Sequence, residues 1–125
     1  MAISRVALGP DVLAGFTVRP GTIVVIAPYV LHRHRQLWDC PDAFDPQRFL
    51  GEQRKKIDRF KYLPFGAGAR TCIGSAFALQ EATLVLAAIV HEFNLRPVPD
   101  HDVWPCLRVT LRPAGGLPMM VSWRR

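Results

Sequence analysis

The sequence is short of the features that mark secreted, membrane-spanning or repeat proteins. Its three cysteines are an odd number without paired spacing, which argues against a disulfide framework and favours a reducing compartment, the cytoplasm. No Cys-x-x-Cys occurs, so the common structural zinc and dithiol redox motifs are excluded. The most apolar stretch, Ala82–Val90, is far too short to cross a bilayer, so no membrane segment is expected in this chain. Met1–Arg5 lacks the charged-then-apolar pattern of a secretory leader. Internal repeats and low-complexity tracts are absent. Acidic residues are few, 10 against 16 Lys and Arg, which gives a net charge of +6. That charge is too dispersed to imply a nucleic-acid partner. Its densest run, Arg54, Lys55, Lys56, Arg59 and Lys61, reads either as a solvated loop or as a docking face for an acidic protein.

Proline and glycine, by contrast, are plentiful, with 11 and 9 among 125 residues, and predict much turn and irregular structure within a single domain over 1–125. Residues 12–18 read as a short strand and the β-branched run 22–27 as its return, joined into a hairpin by the turn Arg19-Pro20-Gly21-Thr22. Tyr29–Gln36 reads as a short helix. Leu37–Pro64 has neither strand nor helix periodicity and is expected to be a long coil packed by its own aromatic side chains, Trp38 and Phe44 among them. Gly74–Phe93, rich in Ala and Leu and apolar around most of its circumference, predicts one long buried helix, with Phe77 in the core. Arg108–Leu111 and Met119–Trp123 read as a C-terminal strand pair around the turn Pro113–Gly116.

The segment that carries chemistry is Pro64-Phe65-Gly66-Ala67-Gly68-Ala69-Arg70-Thr71-Cys72-Ile73-Gly74, which runs directly into the long helix. It is not a phosphate-binding loop, because the Gly-Lys-Ser/Thr ending is missing, and the dinucleotide pattern fails at Thr71. Cys72 precedes a helix start, where unpaired N–H groups and the positive end of the macrodipole favour a thiolate, a soft ligand suited to iron. Gly66, Gly68 and Gly74 let the backbone approach a flat ligand closely. Arg70 offers a planar fork for a carboxylate, and Phe65 can keep water from the sulfur.

These residues are similar to the haem-binding signature of the cytochrome P-450 family, Phe-x-x-Gly-x-Arg-x-Cys-x-Gly, matched by Phe65, Gly68, Arg70, Cys72 and Gly74. Trp38–Phe49, with Pro46-Gln47-Arg48-Phe49, resembles the family's meander; Gly15–Thr22 resembles the hairpin before it, and Leu111–Trp123 the last strand pair. The resemblance implies an α+β piece, the C-terminal haem-binding part, of the mainly helical P-450 fold. It implies haem b (iron protoporphyrin IX) held by Cys72 as iron ligand, with Phe65, Gly66, Gly68 and Gly74 around it. Arg70 would bind one propionate and Arg5, on position alone, a second. The activity implied is oxygen-activating oxidation of a small organic substrate, with electrons from a ferredoxin or flavoprotein reductase.

The family's Glu-x-x-Arg helix, which normally locks the Arg matched by Arg48, does not occur in these residues, nor does its oxygen-activating helix. Arg48 is therefore expected to lack its usual partners, and the chain alone is expected to bind haem weakly or not at all and not to turn over. The alternative is a truncated, non-catalytic fragment or a haem-binding pseudoenzyme. Cys40 and Cys106 are expected to be small buried side chains. His32 and His34 lack a third metal ligand and read as surface or loop residues; His91 and His101 carry no assignment.

Overall fold

The computed structural model describes residues 2–108 and 110–124, so Val109, inside the expected strand Arg108–Leu111, lies outside the described residues. The chain divides into two units, Met1–Thr71 and Cys72–Arg125.

In the first unit the β-branched run forms strand β4 (Ile23–Ile26), but its partner is β1 (Ile3–Val6), with Ile3 opposite Ile26 and Arg5 opposite Val24. The expected strand 12–18 is itself a hairpin: β2 (Asp11–Leu13) folds back on β3 (Phe16–Val18). Its turn residues Ala14 and Gly15 both have positive φ, 49° and 85°, the geometry that suits the twist of a two-residue hairpin. The expected pairing of 12–18 with 22–27 is thereby corrected. Ala-Gly lacks the Asn or Asp that usually marks such a turn, so the alternation across it looked continuous. The turn at Arg19–Thr22 does form: the Thr22 N–H donates to the Arg19 carbonyl at 3.1 Å, with Gly21 at φ 81°.

Helix α1 (Pro28–Leu31) starts on a proline, whose missing N–H costs nothing at a helix N-terminus, and is shorter than the expected Tyr29–Gln36. The long coil follows as expected, interrupted by a 3₁₀ turn over Pro46–Phe49 and by α2 (Gly51–Lys55). Asp45 accepts the Gln47 N–H at 3.0 Å and so caps the 3₁₀ turn. The coil is packed by aromatic rings: Tyr62 lies 4.8 Å from Phe49 and 6.3 Å from Trp38, centroid to centroid. Trp38 is buried and its indole N–H donates to the Leu31 carbonyl at 3.2 Å. Phe44, expected in this cluster, is 96% exposed.

The second unit opens with α3 (Ser75–Glu92), within one residue of the expected limits at each end. None of its residues is buried by this chain, and Phe77 is 71% exposed. The helix follows from local Ala and Leu propensity, while its expected burial requires more covering surface than the remaining residues of the unit offer. Strand β5 (Phe93–Pro97) was not foreseen. It follows α3 directly, and after β6 (Pro105–Leu107) and β7 (Leu111–Pro113), which pair together, β5 pairs with β8 (Met119–Trp123). The C-terminal strand Met119–Trp123 is as expected, but its partner is β5, and the Phe93 and Trp123 rings meet at 4.6 Å.

Candidate functional site

The signature is shared between the units: Phe65, Gly66, Gly68 and Arg70 end the first, and Cys72 and Gly74 begin the second. In the first unit the loop begins at Leu63, which is 6% exposed. Its carbonyl accepts the Gly66 N–H at 3.4 Å, and Gly66 has φ 79°. Gly68, φ 73°, opens a 3₁₀ turn to Arg70 that closes with the Thr71 N–H on the Gly68 carbonyl at 3.1 Å. Two left-handed residues this close would strain any side chain bearing a Cβ, which gives the glycine types at 66 and 68 a backbone reason.

The loop lies against the first strand. A Cβ at Gly66 would come within 3.9 Å of the Arg70 carbonyl oxygen and 4.0 Å of Ile3 Cδ1. Arg5 is two residues along β1 from Ile3 and therefore on the same strand face. Its guanidinium is exposed and donates to the Ser4 carbonyl at 2.8 Å. Arg70 is exposed and enters none of the ion pairs among the described residues. Phe65 is half-buried.

In the second unit Cys72 carries an exposed free thiol. Its carbonyl accepts the Ser75 N–H at 3.3 Å, and no side chain caps the start of α3. Gly74 has an ordinary φ of −86°, so only its small size is used here; a Cβ there would sit 4.0 Å from the Cys72 sulfur. Among the described residues no three His, Cys, Asp or Glu side chains gather to hold a bare metal ion.

Four residues depart from the sequence reading. Arg48 has partners within the chain: its guanidinium donates to the Asp39 and Cys40 carbonyls and lies 3.6 Å from the Asp45 carboxylate. Cys40 adopts φ 44°, which aims its carbonyl at both Arg48 and the Ala43 N–H. Neither Cys40, exposed on a turn, nor Cys106, half-buried in a two-stranded pair, is the buried side chain expected. His32 is more than a loop residue: its Nε2 accepts the Leu63 N–H at 2.8 Å and its ring stacks 4.8 Å from Tyr62. Burial, and then the charge of Arg33, hold its pKa below that of a free histidine. No sequence pattern joins His32 to Leu63, which lies 31 residues away. In the basic run, Lys55 pairs with Glu52 at 2.6 Å and the Lys61 ammonium lies 5.0 Å over the Trp38 ring.

Comparison with known proteins matches residues 1–118 to the family model described as "Cytochrome P450". Among curated relatives, cyclooctatin synthase of Streptomyces melanosporofaciens is 46% identical over 86% of this chain and 23% of that protein. The putative cytochrome P450 132 of Mycobacterium tuberculosis is 41% identical over 92% of this chain and 25% of its own length. Among solved structures, the crystal structure of the cytochrome P450DA heme domain superimposes with a TM-score of 0.90 at 35% identity, covering 99% of this chain and 27% of that one. The chain thus spans about a quarter of the length of the relatives it matches. No helix among the described residues is long and apolar enough to cross a membrane.

Proposed function

The chain belongs to the cytochrome P450 family, and from that premise we propose that residues 1–125 are the C-terminal, thiolate-bearing part of one haem domain of a monooxygenase. Cys72 would hold the iron through its thiolate, and haem b would be the cofactor. The observation that carries this reading is the run Phe65–Gly74, in which two left-handed glycines and a free, exposed thiol lie within seven residues.

When bound, the haem supplies dioxygen activation, and electron donation from a thiolate ligand favours O–O cleavage, the general role of the cysteine in this family. The protein's own residues bind and orient the group. Arg70, exposed and outside the ion pairs, is free to hold one propionate. Arg5 takes the second, a role supported by its place on the strand face that meets the loop at Ile3. Gly66, Gly68 and Gly74 keep Cβ atoms out of the way of the macrocycle, and half-buried Phe65 limits water at the sulfur. The substrate in this reading is a small organic molecule. The electron donor is a ferredoxin or flavoprotein reductase steered by the basic run Arg54–Lys61. Three free thiols support a cytoplasmic location.

The test is a haem titration of the purified chain followed by the absorption spectrum of its reduced carbon monoxide complex, with Cys72→Ser beside it. A red-shifted Soret band that Cys72→Ser lacks, at whatever low occupancy the chain alone reaches, is the result expected of a thiolate ligand. Haem binding indifferent to Cys72 would overturn the assignment of the ligand.

A further inference from the structure

We propose that His32 is a positioning residue whose neutral imidazole fixes the entry to the Cys loop, and that protonating it releases that entry. The functional consequence rests on the reading of Phe65–Gly74 as the haem-binding run; the latch itself does not.

Leu63 commits both of its backbone groups. Its N–H donates to His32 Nε2 at 2.8 Å, and its carbonyl accepts the Gly66 N–H at 3.4 Å, closing the turn that puts Gly66 at φ 79°. One hydrogen bond therefore ties the loop entry to the end of α1, and the next begins the loop itself. A ring nitrogen accepts only when it carries no proton, so this contact needs the Nδ1–H tautomer of neutral histidine. Protonation at Nε2 would set a donor against a donor. Leu63 is 6% exposed, so water has little access to replace the lost acceptor.

The surroundings offer an imidazolium no compensation. His32 stacks on Tyr62, whose own ring packs on Phe49. Arg33, next in sequence, is cationic and opposes a charge on His32, and Lys61, adjacent to Tyr62 in sequence, lies over the Trp38 ring. No ion pair among the described residues brings an Asp or Glu to His32. Burial lowers the pKa of His32, and the Arg33 charge lowers it further. The unfolded chain therefore takes up this proton before the folded one does. The stability contributed by the latch is full above about pH 6.5, the ordinary histidine value, and is lost as pH falls toward the lowered one.

The experiment is a titration of the ¹⁵N-labelled full chain by NMR from about pH 8 to pH 5, repeated on His32→Gln and His32→Phe. The Leu63 and Gly66 amide resonances should move with the titration of the His32 ring, whose midpoint should fall below the ordinary histidine value. Gln keeps an acceptor that does not titrate, so H32Q should hold the Leu63 amide at every pH. H32F should expose it, with exchange about tenfold faster than in H32Q at the same pH. A Leu63 amide that ignores the His32 titration, or variants that exchange alike, would overturn the proposal. None of these readouts requires haem. A chain that titrates as described but fails the Soret test would keep the latch and lose the haem-binding reading.

Discussion

Met1–Thr71 and Cys72–Arg125 meet solvent in opposite ways. The first unit contains every buried residue among those described, Val18, Pro28, Trp38 and Leu63, although much of it is coil. The second contains the longest regular element and buries nothing: Leu79, Leu84 and Leu86 on α3 are 58%, 62% and 59% exposed. Regular secondary structure and a core are thus separate achievements. The coil is held by contacts between residues far apart in sequence, Trp38 with Tyr62 and His32 with Leu63, and by Arg48 folded onto the carbonyls of Asp39 and Cys40. The helix is held by its own backbone and awaits cover, since tertiary packing normally provides most helical stability.

This contrast can be broken by mutation. The largest effect should come from Trp38→Ala, which removes the centre of the aromatic cluster and should cost about 3–5 kcal/mol. Urea unfolding followed by near-ultraviolet circular dichroism measures it, and a trivial loss would mean that the first unit has no working core. Arg48→Ala should cost about 2 kcal/mol, because it leaves two carbonyls without their charged donor. The same unfolding assay decides, and a neutral result would remove Arg48 from the scaffold. Gly68→Ala should cost about 1–2 kcal/mol from the left-handed backbone alone, since a Cβ there meets nothing within 4 Å. Gly68→Asn, which tolerates that backbone better, should recover part of the loss in melting temperature. The smallest effect belongs to Leu86→Ala, under about 0.5 kcal/mol while α3 is uncovered. A loss in the range of about 2–5 kcal/mol, typical of buried leucines, would show that α3 is packed in solution and would end the contrast.

What the sequence made legible was mostly local. The limits of α3 came out within a residue because Ala and Leu propensity runs without interruption between Gly74 and Phe93. The turn at Arg19–Thr22 was readable because Pro20 and Gly21 each restrict or permit one dihedral. The signature was readable because its five residues, Phe65, Gly68, Arg70, Cys72 and Gly74, lie close together in one short run. Pairing was harder. The Ala14–Gly15 turn hid a hairpin inside one apparent strand, and β5 carries no cue that its partner lies at Met119–Trp123. Phe44 looked like its aromatic neighbours but faces solvent, because composition does not specify the direction of a side chain in a coil.

The sequence by itself determined the family, the long helix and the aromatic coil, and it marked the cysteine proposed as the iron ligand. Each is encoded by residue type at close spacing, which needs no knowledge of where distant segments lie. Only the tertiary structure decided that Arg48 finds its partners in the coil, that Arg5 shares a strand face with the residue touching the loop, and that His32 holds Leu63. Those facts depend on chain reversals between residues as far apart as Ile3 and Gly66, and each reversal rests on a few dihedrals and hydrogen bonds that leave no periodic trace in the sequence.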